Sequence, residues 1–127
     1  MSRMSRTKGA RGENELCRLL SAELGVTVAR NIAQARNGGA DCLELKGFAI
    51  ECKRTERLAR PTWWAQAVEQ GERAKAEPIV FYRRSREPWQ ALIRTVDGGY
   101  RDATWEQAMT HVREKLARLY GIYKEAA

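Results

Sequence analysis

The chain predicts a single mixed α/β domain with its elements in the order α-β-β-β-α-β-β-α. Three features carry that reading. Apolar residues recur at helical spacing near both ends, two strand-like runs meet at Lys46-Gly47, and an unbroken apolar run, IVFY (79–82), follows Pro78. Helix and strand repeat with different periods, so the spacing of apolar residues tells them apart. At 127 residues one hydrophobic core is expected, here a mixed central sheet flanked by helices.

Taken in order, residues 1–10 are basic, polar and aperiodic, and are expected to form a flexible arm ahead of one domain spanning 11–127. From Arg11 to Leu24 the pattern is helical, and Gly25 is a natural stop because glycine takes the left-handed conformation that ends helices. Val26–Ile32 is short and β-branched, hence a strand, and 33–39 (AQARNGG) is a loop. The runs DCLEL (41–45) and FAIECKR (48–54) read as a hairpin. Pro61 suits the first turn of a second helix reaching Lys75. After the IVFY strand and the SREP turn come a strand over Trp89–Val96 and a turn at Asp97-Gly98-Gly99. A last helix starts near Thr104, where Gln107 completes a capping box, and runs to about Tyr120.

Charge narrows the partners. Twenty-three Lys and Arg against sixteen Asp and Glu give a formal charge of +7, which attracts polyanions such as DNA. Basic proteins that bind no nucleic acid share this balance, so charge alone says nothing of catalysis. No apolar run approaches membrane-spanning length and no signal-like segment opens the chain, so no membrane partner is expected. Cys17, Cys42 and Cys52 are an odd set without CxxC spacing, and His111 is the only histidine. A zinc site is therefore not expected, and a reduced, cytoplasmic setting fits best.

The chemistry concentrates at Asp41 and at Glu51-Cys52-Lys53. Metal-assisted phosphodiester hydrolysis needs hard oxygen ligands and an activated water. Two carboxylates on neighbouring strands can hold Mg²⁺, with Mn²⁺ as a substitute. Residues two apart on a strand share a face, so Glu51 and Lys53 project together while Cys52 packs on the other side. The ammonium can then position water or stabilise developing charge. This places a condition on the hairpin. A two-residue turn pairing Leu45 with Phe48 would place Asp41 opposite Cys52, on the wrong face, so an odd loop or a bulge is expected near Lys46-Gly47. Glu44-Leu45-Lys46 also matches Glu-x-Lys, but Lys46 sits at the turn and the pair reads as a solvated edge.

At about 100° per residue, Glu13 falls in line with Leu16, Cys17, Leu20 and Leu24. A carboxylate on that stripe either faces a cation or metal near the sheet or caps the helix N-terminus. Glu15 lies almost opposite and is expected at the surface. Arg54, Arg57 and Arg60 follow the Glu-x-Lys strand, and Arg83, Arg84 and Arg86 follow IVFY; arginines placed so can hold phosphates without reading bases. Trp63 and Trp64 read as packing residues, with base stacking the alternative.

Three stretches, KGARGENEL, GGADCLELKGFAIECKR and WWAQAVEQGERAKAEPIVFYRRSREPW, together resemble the small phage- and prophage-borne PD-(D/E)xK endonucleases. More distantly they resemble archaeal Holliday junction resolvases and VRR-type nucleases. The resemblance implies a restriction-endonuclease-like core. It also implies a catalytic set of Glu13, Asp41, Glu51, Lys53 and Gln66, with Gln70 as a rival to Gln66, and metal bound by Asp41, Glu51 and Glu13. DNA would contact Lys8, Arg11, Arg54, Arg57, Arg83, Arg84 and Arg86, and a homodimer is the expected assembly. Ala40 stands where the motif's proline would be. Two other classes remain open: a non-catalytic nucleic-acid-binding module on the same fold, and a basic structural protein that assembles through its last helix.

Overall fold

A computed structural model describes residues 3–30 and 43–121. Among these the chain forms α1 (Arg3–Leu24), β1 (Ala29–Arg30), β2 (Leu43–Leu45), β3 (Phe48–Arg54), α2 (Arg60–Ala74), β4 (Glu77–Arg83), β5 (Gln90–Arg94), β6 (Tyr100–Thr104) and α3 (Trp105–Tyr120). The strands make one six-stranded sheet in chain order. Every neighbouring pair is antiparallel except β3 and β4, which run parallel and are joined through α2. This is the predicted mixed sheet flanked by helices.

Two expectations are corrected. The last helix is preceded by an additional strand, β6, which pairs along its length with β5. Its sequence, YRDAT, buries only Ala103, so it shows no apolar alternation; charged side chains on an edge strand are how sheets discourage unwanted pairing. Residues 3–10, expected as an arm, continue α1. Extending an existing helix adds a hydrogen bond for each residue fixed, and no proline intervenes, so a loss of apolar period did not end the helix.

The sheet divides the core into two layers. On one face Leu16 and Leu20 of α1 and Met109, Val112 and Leu116 of α3 pack on Ile50, Ile79, Phe81 and Ile93. On the other, Trp63, Trp64 and Ala67 of α2 pack on Val80, Tyr82 and Leu92. Ile79, Val80, Phe81 and Tyr82 are all buried, as expected of a central strand covered on both sides. The two tryptophans are packing residues, 5% and 7% exposed.

Local signals set the boundaries. α1 ends where Gly25 takes φ +70° and its N–H reaches Ser21 O at 3.0 Å. The Thr104 side chain accepts from Gln107 N at 3.1 Å, and Gln107 Oε1 accepts from Thr104 N at 3.0 Å, completing the expected capping box. Gly12 permits one close approach. A Cβ there would lie 2.8 Å from Arg54 Cβ, so the missing side chain lets α1 rest on the end of β3.

At the head of β4, Glu77 ties the sheet to α3. His111 Nε2 is 2.5 Å from one of its oxygens and Lys115 Nζ is 3.3 Å from the other. Burial pushes the Glu77 carboxyl up, but the His111 hydrogen bond and the charges of His111 and Lys115 outweigh it and hold its pKa below the ordinary glutamate value. A lowered folded-state pKa gives stability that is present above the unfolded value and lost as pH falls through the folded one. Glu77→Gln is therefore expected to melt earlier than the parent at pH 7, by about 1–2 kcal/mol, with the gap closing in acid. A gap that stays constant down to pH 3 would contradict this account.

Candidate functional site

β3 alternates in the manner a strand requires. Phe48 and Ile50 enter the α1–α3 layer, so Ala49, Glu51 and Lys53 face α2. Glu51 is 7% exposed and is the only buried charged residue among the described residues. Lys53 Nζ lies 3.5 Å from Glu51 Oε2. Burying a carboxylate costs free energy unless a cation or hydrogen bonds compensate, and Lys53 supplies a cation two residues away. The expected Glu51–Lys53 pairing on one face is thus present. In the parallel register Glu51 lies beside Val80 and Lys53 beside Tyr82.

The turn preceding this strand differs from expectation. Leu45 pairs with Phe48 and Glu44 with Ala49, so Lys46-Gly47 is a two-residue turn without a bulge. Gly47 takes φ +85°, where a side chain is disfavoured, and this tight geometry closes the hairpin without an extra residue. Continued unbroken, the register would carry Asp41 to the Cys52 face. The described ladder ends at Glu44–Ala49, and Asp41 itself, like Ala40 and Cys42, lies outside the described residues. Among the described residues no group of three or more His, Cys, Asp or Glu is arranged to hold a metal.

Glu13 is half-buried in α1, next to Gly12, which packs on Arg54. It therefore comes to the C-terminal end of β3 from the sheet face opposite Glu51, and would have to reach round the strand's end to join the pair. The two glutamines of α2 separate clearly. Gln66 is exposed, whereas Gln70 is half-buried, its Oε1 buried and without a hydrogen-bond partner among the described residues. An unpaired buried amide oxygen is costly, so geometry favours Gln70 over the expected Gln66 as the polar group turned inward from α2.

Several arginines prove to be anchors. Arg83 Nη1 donates to Glu15 Oε1 at 2.6 Å and its Nε to Glu87 O at 2.7 Å; Arg84 pairs with Glu87 at 2.9 Å. Arg54 reaches Arg83 O at 3.5 Å. Arg11, Arg57 and Arg86 are exposed, and the side chain of Lys8 lies outside the described residues. Glu15 is not the free surface group expected, because it also accepts from Trp89 Nε1 at 2.6 Å. Both partners come from residues far away in sequence, which helical spacing alone does not reveal. Glu15→Ala should lower stability by about 1 kcal/mol, discounting for partial exposure, and should weaken the near-ultraviolet signal of Trp89; an unchanged melt would show the contacts to be energetically idle.

A second polar cluster escaped the sequence reading. The Tyr82 hydroxyl donates to Asp102 Oδ1 at 2.6 Å, with Gln90 Oε1 at 2.8 Å, and Arg60 donates to both Tyr82 and Asp102. Burial and the Asp102 carboxylate outweigh Arg60 in raising the Tyr82 pKa, so the phenol stays protonated at neutral pH. The only sequence signal was Arg60 itself, a few residues beyond Lys53.

This α/β core, with a Glu-x-Lys pair whose glutamate is buried on the strand that enters the crossover helix, is of the nuclease type. The family model described as "Phage putative PDDEXK endonuclease" matches residues 4–126, and the chain belongs to that PD-(D/E)xK family. No curated protein matches it. Among solved structures it is similar to Hjc, a Holliday junction resolvase from Archaeoglobus fulgidus, at 22% identity over 90% of this chain and 96% of that one, with a TM-score of 0.48. Among the described residues no helix is long and apolar enough to cross a membrane.

Proposed function

We propose that this chain is a metal-dependent endonuclease that hydrolyses DNA phosphodiester bonds, with branched DNA such as Holliday junctions among its candidate substrates. The observation that carries the reading is the buried Glu51 carboxylate with the Lys53 ammonium 3.5 Å away, on the face beneath α2. The donor set suits a hard divalent cation such as Mg²⁺, or Mn²⁺ in its place, because it offers carboxylate oxygens and no soft ligand. Glu51 and Asp41 would hold that ion, with Glu13 assisting from the middle of α1. The bound ion would supply Lewis-acid stabilisation and a more acidic water.

The chain's own groups do the rest. Lys53, fixed beside Glu51, orients the attacking water and offsets charge growing on the phosphate oxygens. Gln70, in place of Gln66, supports the same water or Lys53 from α2. Arg11, Arg57 and Arg86 are free to contact backbone phosphates. A homodimer would present two such sites to a branched substrate.

The even register at Lys46-Gly47 favours one other reading, a non-catalytic nucleic-acid-binding module in which Asp41 never joins Glu51. Incubation with single-stranded, duplex and four-way DNA, in Mg²⁺, Mn²⁺ or chelator, separates the two. Metal-dependent cleavage of any of these supports the nuclease. Binding to all three without cleavage supports the module.

A further inference from the structure

Arg60 begins α2 on the sheet face that carries Glu51 and Lys53. Its Nε donates to Asp102 Oδ1 at 3.0 Å and its Nη2 to the Tyr82 hydroxyl at 3.2 Å. The guanidinium carbon lies 5.5 Å from the Tyr82 ring centroid. Tyr82 neighbours Lys53 in the β3–β4 register, and Asp102 stands on β6, opposite Leu92 of β5. The guanidinium is thus held over the middle of the sheet, between the Glu51–Lys53 pair and the β6 edge. Neighbouring strands are about 4.8 Å apart, so the cation sits within reach of a phosphate next to one bound at Lys53.

The two bonds use only part of the donor set of a guanidinium. Among the described residues no other hydrogen-bond partner takes the remaining N–H groups, and the side chain is 33% exposed. An ion pair this open adds little to stability, which leaves the arrangement poorly explained as a structural brace. Held at two points, a guanidinium loses little freedom when it takes a further partner, and its planar fork matches phosphate oxygens.

We propose that Arg60 binds a backbone phosphate of the nucleic acid beside the phosphodiester at Glu51–Lys53, and that Asp102 and Tyr82 are the positioning residues that aim it. The ligand is a phosphodiester recognised by charge and shape, without base readout; that the ligand is nucleic acid rests on the nuclease reading.

The test is DNA binding by the full chain in chelator, measured on a duplex across a series of salt concentrations. Each phosphate neutralised by a protein cation contributes about 0.9 to the slope of log affinity against log salt. Arg60→Gln is expected to weaken binding and to lower that slope by about one. Arg60→Lys should keep the slope with weaker affinity, because charge survives and the fork does not. Tyr82→Phe should also keep the slope and weaken binding, since the cation remains but is no longer aimed. If Arg60→Gln melts early, Arg60→Met, which keeps the apolar stem over the Tyr82 ring, gives the same readout. A slope unchanged in Arg60→Gln and Arg60→Met overturns the proposal. Binding in chelator needs no cleavage, so an Arg60-dependent slope in a protein that never cuts keeps this inference and discards the nuclease, whereas an unchanged slope with intact cutting does the reverse.

Discussion

Lys53→Met is expected to lower the rate of DNA cleavage by about 10²–10³-fold, the usual consequence of removing one preorganised group that stabilises developing charge. Affinity for DNA should fall by no more than one phosphate contact is worth, because the other cations of a chain of formal charge +7 remain. The loss should therefore fall on kcat with KM nearly held, the pattern of an interaction made only in the transition state. Methionine keeps most of the stem, so packing beside Tyr82 is disturbed least. The variant also removes the cation 3.5 Å from a buried carboxylate, and such removal carries a stability cost of its own. Thermal melting recorded beside the kinetics separates the two effects. Lost cleavage in a folded protein is the expected result; cleavage within a factor of two or three of the parent would remove Lys53 from the site.

Phe81→Ala should be the most damaging substitution for the fold itself. Phe81 is fully buried in β4, its ring centroid 5.6 Å from that of Trp105 at the start of α3. It lies beside Cys52 in the parallel register, so its ring props the α1–α3 layer against the back of the strand that carries Glu51 and Lys53. Truncating a buried phenylalanine costs about 3–5 kcal/mol, a large share of the whole stability of a domain this size. Chemical denaturation should show the midpoint falling with an unchanged slope. A loss below about 1 kcal/mol would mean that the layer repacks and that β4 is not the keystone the burial suggests.

The sequence carried the helices, the five other strands and the face shared by Glu51 and Lys53, because each of these is a local signal. Glycine at 25, proline at 61 and the Thr104–Gln107 box mark boundaries within a few residues of where they act. What it could not carry depended on partners distant in the chain. β6 is a strand because β5 pairs with it, not because YRDAT alternates. Glu15 is anchored by Arg83 and Trp89, some seventy residues on, and Arg60 meets Asp102 forty-two residues on. The turn at Lys46-Gly47 was legible as a turn, but its parity was not: the expected bulge followed from asking Asp41 to share the Glu51 face, and Gly47 at positive φ closes a two-residue turn instead. Any departure that brings Asp41 to Glu51 must fall beyond Glu44. Gln66 and Gln70 were separable only by burial.

If the Glu51–Lys53 pair is the cutting centre, plasmid nicking depends on it. Purified parent chain and a Glu51→Ala/Lys53→Ala variant are incubated with supercoiled DNA in Mg²⁺, with a chelator control, after both are shown to melt cooperatively. The parent is expected to nick in Mg²⁺ and not in chelator, and the variant in neither. Equal nicking by the folded variant would place the activity elsewhere and contradict that assignment.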